Sequence, residues 1–143
     1  MKSINFDSGY KTYSINGDEN CVIKVQVTDF NLPKRINDAV IEIEALVEKV
    51  KSNSSIEEIV VFDGEIRKII NDIFGSDICT AAFGKANVCT IASNGEPIFA
   101  NFFNAMIPII KADIDEATKD KAQLSPEAQK YLDDIAEPEQ PAE

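Results

Sequence analysis

The spacing of hydrophobic positions along this chain changes near residue 32. Before it, the pattern is that of strands. Lys11–Ile15 and Cys21–Val27 are rich in β-branched and aromatic residues, and Ile23, Val25 and Val27 alternate with Lys24 and Gln26. This two-residue period buries one face of a strand. Between the two runs, Asn16-Gly17-Asp18-Glu19-Asn20 has the turn chemistry of a hairpin loop. A further short strand, Ser3 to Phe6, is expected ahead of a turn at Asp7-Ser8-Gly9. Two or three antiparallel strands result. Two alone are only marginally stable, so the sheet must pack on the rest of the chain or pair with another copy.

From Leu32 the period becomes helical. Pro33 suits a first turn, where its missing N–H costs nothing. Ile36, Ala39, Val40, Ile43, Leu46, Val47 and Val50 recur at helical steps, with Glu42, Glu44, Glu48, Lys49 and Lys51 on the wet face. Ser52–Ser55 ends that helix, and Ser55 with Glu58 has the capping-box form for a second, Ile56 to Phe74. Ile59, Val60, Phe62, Ile66, Ile69, Ile70, Ile73 and Phe74 are its apolar positions. Asp63-Gly64 interrupts it, which leaves open a bend or two shorter helices. Gly75 closes this element, a short helix spans Asp77 to Phe83, and Asn87–Ala92 reads either as a short strand or as an irregular link. Ser93-Asn94-Gly95 then leads into the most apolar helix, Ile98 to Ile114.

In that helix Ile98, Phe99, Phe102, Phe103, Met106, Ile107, Ile109, Ile110 and Ile114 spread over about 180° at about 100° per residue. Burying one face of a helix in a small domain needs a stripe about 100° wide or slightly more. Core packing accounts for most of the stripe. The surplus favours a homo-oligomer interface or a groove for a client protein, with Phe99, Phe102, Phe103, Met106 and Ile110 as candidate partner-binding residues. Pro108 cannot donate to Asn104, so it is expected to kink the axis or free that carbonyl. Beyond Lys119 the pattern weakens. Ser125 to Ile135 can form one short helix, and Glu137–Glu143 is disordered by composition. The expected organisation is a single α+β domain over residues 1–119, with a hairpin over 1–30 and a helical body over 32–115. A flexible acidic tail over 120–143 follows.

Charge narrows the possible partners. The chain carries a net −11, and Asp113 to Glu143 holds ten acidic against three basic residues, −7 of that total. Such a balance opposes binding to a nucleic-acid backbone or to anionic lipid. The tail serves either as a solubility device or as a segment that orders on a partner. No apolar run reaches membrane-spanning length, and no signal-peptide pattern opens the chain.

The absence of histidine removes Ser-His and Cys-His catalysis and imidazole ligation. Cys21, Cys79 and Cys89 are odd in number and contain no CxxC, which fits a reducing cytoplasm. Cys79 and Cys89 lie among small apolar residues and read as buried thiols rather than nucleophiles. Asp63, Glu65, Asp72 and Asp77 lack the spacing of a calcium loop and read as solvated faces and caps. The glycines at 75, 84 and 95 are too widely spaced for a phosphate loop. No catalytic, cofactor-binding or metal-binding residue is therefore assigned, and a non-enzymatic role is expected.

One order of features carries a family resemblance. A short N-terminal β segment and a helix precede Ile66-Arg-Lys-Ile-Ile-Asn-Asp-Ile-Phe-Gly75, then Ala81-Ala-Phe-Gly84, then the acidic tail. Over about residues 10 to 115 this resembles the small tail assembly chaperones of long-tailed phages and prophages of Gram-positive bacteria. The resemblance implies a cytoplasmic protein of the host cell that coats the tape-measure protein and recruits tail-tube subunits, works as a homo-oligomer and needs no cofactor. The alternative is a structural virion subunit, such as a minor tail or connector protein, whose hairpin edges pair between subunits.

Overall fold

The computed structural model describes residues 1–49 and 54–120. It is an α+β arrangement: an N-terminal antiparallel hairpin, β1 (Tyr10–Ile15) and β2 (Asp18–Gln26), followed by helices α1 (Leu32–Lys49), α2 (Ile56–Phe74), α3 (Cys79–Phe83) and α4 (Ile98–Asp120). The sequence expectations for residues 121–143, including the short helix from Ser125, lie outside the described residues.

The hairpin is tighter than its polar loop residues suggest. Asn16 and Gly17 have φ of 53° and 74°, and two successive left-handed residues make the I′ turn that matches strand twist. The turn is therefore two residues long. Asp18, Glu19 and Asn20 belong to β2 and are exposed, and the register shifts between Ser14 and Ile15. Tyr13 stands opposite Ile23 and Lys11 opposite Val25. Ile23, Val25 and Val27 are buried, as their alternation requires.

Ser3–Phe6 forms no strand, and the sheet has two strands among the described residues. A turn in which Asp7 Oδ1 accepts from the Gly9 amide stands at the root of this segment. Gln26 Nε2 donates to the Ser8 carbonyl and holds that root against the end of β2.

The core joins the inner face of β2 to one stripe of each long helix. Leu32, Ala39 and Ile43 come from α1, and Ile66, Ile69, Ile70 and Ile73 from α2. Phe99, Phe103, Met106 and Ile110 come from α4, and Ile78, Cys79 and Val88 from the connecting segment. Helix α2 is continuous through Gly64, whose missing side chain faces open space. Its capping box at Ser55 and Glu58 and its left-handed Gly75 cap define its ends. Closest backbone packing joins α1 to α2 and α3 to β2. Helix α4 reaches the core through long side chains, which leaves room along its flank. It also runs past Ile114 to Asp120, one residue into the segment expected to be tail. Asn87–Ala92 is irregular, with one bridge between Ile91 and Pro97.

Candidate functional site: an apolar groove between the hairpin and the last helix

The surplus apolar arc of α4 borders a cavity. Measured round the helix from Phe103, the buried residues Phe99, Met106 and Ile110 fall within about 60°, at about 100° per residue. Phe102, Ile109 and Ile98 lie farther round on one side, at about 100° to 140°. These positions, with Met106 and Ile110, line an open groove of about 550 Å³ whose opposite wall is β1. That volume falls in the range of about 300–1,000 Å³ typical of ligand sites. Phe83 of α3 closes one end. Its ring meets Phe102 edge-on with centroids 5.4 Å apart, and Phe102 meets Phe103 in the same way at 5.8 Å.

The five candidate partner-binding residues therefore divide. Phe99 and Phe103 point into the core and are not presented to a partner. Phe102, Met106 and Ile110 line the groove, though Met106 and Ile110 are also mostly buried. Ile98, Ala105 and Ile109 of α4 also line the groove and stood outside the set, Ile109 being 54% exposed. Its offset from the centre of the stripe was the available signal.

Tyr13 joins the groove wall to α4. Its hydroxyl donates to Asp113 Oδ2, and Lys11 lies 3.9 Å from the same carboxylate. Burial, then the bond to Asp113 and its charge, push the phenol well above its ordinary range. At neutral pH it is a neutral donor that pins the hairpin to the helix.

The opposite flank is closed by polar bonds. Asp63, Arg67 and Asn71 repeat every four residues on α2 and so lie on one stripe. Asp63 Oδ1 accepts from the Val88 amide at 2.8 Å and from Arg67 Nε at 3.1 Å. Arg67 Nη2 donates to the carbonyls of Gly84 and Ala86 at 2.9 and 2.7 Å. Asn71 Oδ1 accepts from the amides of Ile78 and Cys79. These side chains satisfy the backbone of an irregular segment that no sheet partner satisfies.

The remaining carboxylates have local roles. Asp72 pairs with Lys68, and Asp77 accepts from the hydroxyl and amide of Thr80, bonds that hold its carboxyl below the usual range. Glu65 sits on the rim of a second, charged groove of about 470 Å³ between α1 and α2. Among the described residues, no group of three or more Cys, Asp or Glu side chains is placed to hold a metal ion.

All three cysteines are free. Cys79 is fully buried, and burial pushes its thiol up to about 12. Burial, and then Asp63, also raise the Cys89 thiol. For Cys21 the leading cause is its hydrogen bond to Asp18. A buried, protonated thiol suits packing and gives no nucleophile at neutral pH.

Fold and groove together define the class: a small α+β protein with an open apolar groove beside its hairpin. No protein-family model matches the chain, and no curated protein or solved structure matches it. No helix among the described residues is long and apolar enough to cross a membrane.

Proposed function

We propose that this chain is a non-enzymatic, protein-binding chaperone of phage tail morphogenesis. In this role it covers the tape-measure protein in the host cytoplasm and recruits tail-tube subunits. The observation that carries the reading is the groove in which Phe102, Ile109 and Ile98 use the surplus apolar arc of α4. An apolar trough of this kind takes one face of an amphipathic helix, with residues at helical spacing as anchors. The net charge of −11 keeps a protein with exposed apolar surface soluble. The sequence order from the hairpin to Phe-Gly at 83–84 adds the family resemblance.

Co-expression with the tape-measure protein from the same locus tests the reading. Co-purification is expected, and Ile109→Ser should reduce it. Two soluble proteins that do not co-purify would overturn the proposal.

The unpaired edge of β1 favours a second reading, a structural virion subunit that pairs with its neighbours. Detection of the chain in purified mature particles would select it, since a chaperone departs before maturation.

A further inference from the structure

The groove is bordered by a strand edge that has no strand neighbour among the described residues. Tyr13, Ser14, Ile15 and Asn16 all line it. Successive residues of a strand point to opposite faces. Tyr13 and Ile15, with Ile23 opposite Tyr13, line it from the inner face of the hairpin, and Ser14 and Asn16 carry the lining round to the outer edge of β1. Among the described residues β1 pairs with β2 alone, and an unpaired edge offers its N–H and C=O groups to an added strand.

The same chain carries a segment suited to that edge. Residues 1–6 have no regular secondary structure, and Ile4 and Phe6 stand 88% and 76% exposed. Two residues apart, they share a face when extended. Neither side chain folds back onto its own body. The arm's root is held by Gln26 Nε2 on the Ser8 carbonyl, and Gly9, with a φ of +83°, packs where a Cβ would come within 2.2 Å of Thr28 Oγ1. Lys2 is the arm's one charged side chain, opposite in sign to the chain's net charge. An exposed arm and a groove that the other described residues do not fill are the two halves of an exchange between identical copies.

We infer that the N-terminal arm of a second copy adds to the free edge of β1. It sets Ile4 and Phe6 into the groove beside Phe102 and Ile109, and so caps the groove until a client displaces it. The displacement step rests on the proposed client-binding role of the groove; the exchange between copies does not.

Light scattering on the full chain at rising concentration tests the exchange. A mass above one chain is expected for the wild type. Ile4→Asp/Phe6→Asp should be monomeric with unchanged circular dichroism, because both side chains are exposed. Ala105→Trp, at an exposed position in the groove lining, should also be monomeric while keeping its arm. Mixing the two variants should restore association, since one supplies an arm and the other a groove. A wild type that stays at one-chain mass overturns the exchange. So does an arm variant that keeps the wild-type mass, or a mixture of folded variants that stays monomeric.

Capture of co-expressed tape-measure protein then tests the capping role. The arm variant should capture several-fold more than the wild type, and equal or lower capture overturns the capping. If neither protein captures it while the exchange results stand, the client reading fails alone.

Discussion

The two flanks of this molecule are closed by different chemistry. On the α2 side, Asp63, Arg67 and Asn71 hold the segment from Ile78 to Val88 through directed hydrogen bonds to particular amides and carbonyls. On the α4 side, Phe102, Ile98 and Ile109 face β1 across an open apolar groove, and the Tyr13–Asp113 bond ties the two walls together. Directed bonds work only with the atoms they were placed for, so the first flank is locked. Apolar contact is non-directional, so the second accepts any surface of suitable shape. The locked flank serves the fold, and the open flank is the one on which the proposed binding role rests.

The largest expected effect comes from the locked side at high pH. The Cys79 thiol is raised from its ordinary 9.0 to about 12, so the folded state holds that proton more tightly than the unfolded state does. Its contribution is complete below about pH 9 and is lost as pH rises towards 12, with a ceiling of about 4 kcal/mol. Thermal unfolding across this range should show the loss, and Cys79→Ala should flatten it. Tyr13, raised in the same sense, leaves a remainder above about pH 10 that Tyr13→Phe removes. An unchanged pH slope in Cys79→Ala would mean that the thiol is not buried as described.

Next in size is Arg67→Met, which removes the side-chain donor of the Gly84 and Ala86 carbonyls and leaves the Asp63 carboxylate with the Val88 amide. A loss of about 1–2 kcal/mol is expected in urea denaturation. Asn71→Ala should cost about 1–3 kcal/mol by orphaning the Ile78 and Cys79 amides. Any effect on groove binding should come through Phe83, which belongs to the held segment and lines the groove. An Arg67→Met variant as stable as the wild type would erase the distinction between the flanks.

Ile109→Ser is the opposite case. Its exposed side chain should contribute within about 0.5 kcal/mol to stability, while association through the groove weakens measurably. A stability loss as large as that of Arg67→Met would make Ile109 a core residue.

The smallest effect is expected at low pH. The Asp77 carboxyl is lowered, first by the Thr80 hydroxyl, so its contribution is present above its ordinary 3.8 and fades as pH falls through the folded value. Asp77→Asn should make the acid limb of the unfolding curve slightly shallower.

Much of the secondary structure was legible in the sequence because local rules decide it. The alternation of Ile23, Val25 and Val27, the Ser55 and Glu58 box, the Gly75 cap and the stripe of α4 each need only neighbours in the chain. The hairpin loop read too long because Asp18, Glu19 and Asn20 are polar, whereas the two left-handed residues Asn16 and Gly17 already complete the turn. Ser3–Phe6 has strand composition but gains no strand partner among the described residues. The excess width of α4 was visible as well, and it marked the helix that borders the groove without distinguishing Phe103, which faces the core, from Phe102, which faces the groove.

By itself, then, the sequence determined the hairpin, the long helices, the absence of imidazole chemistry and the presence of more apolar helix surface than one stripe requires. Periodicity, caps and composition act over a few residues, so one chain suffices to read them. Tertiary structure alone decided which part of that surface remained open. It also made Asp63, Arg67 and Asn71, an ordinary polar stripe in sequence, the holder of a segment up to 25 residues away. Both outcomes depend on which elements meet, and a hydrogen bond or a groove wall exists only once distant parts of the chain have been brought together.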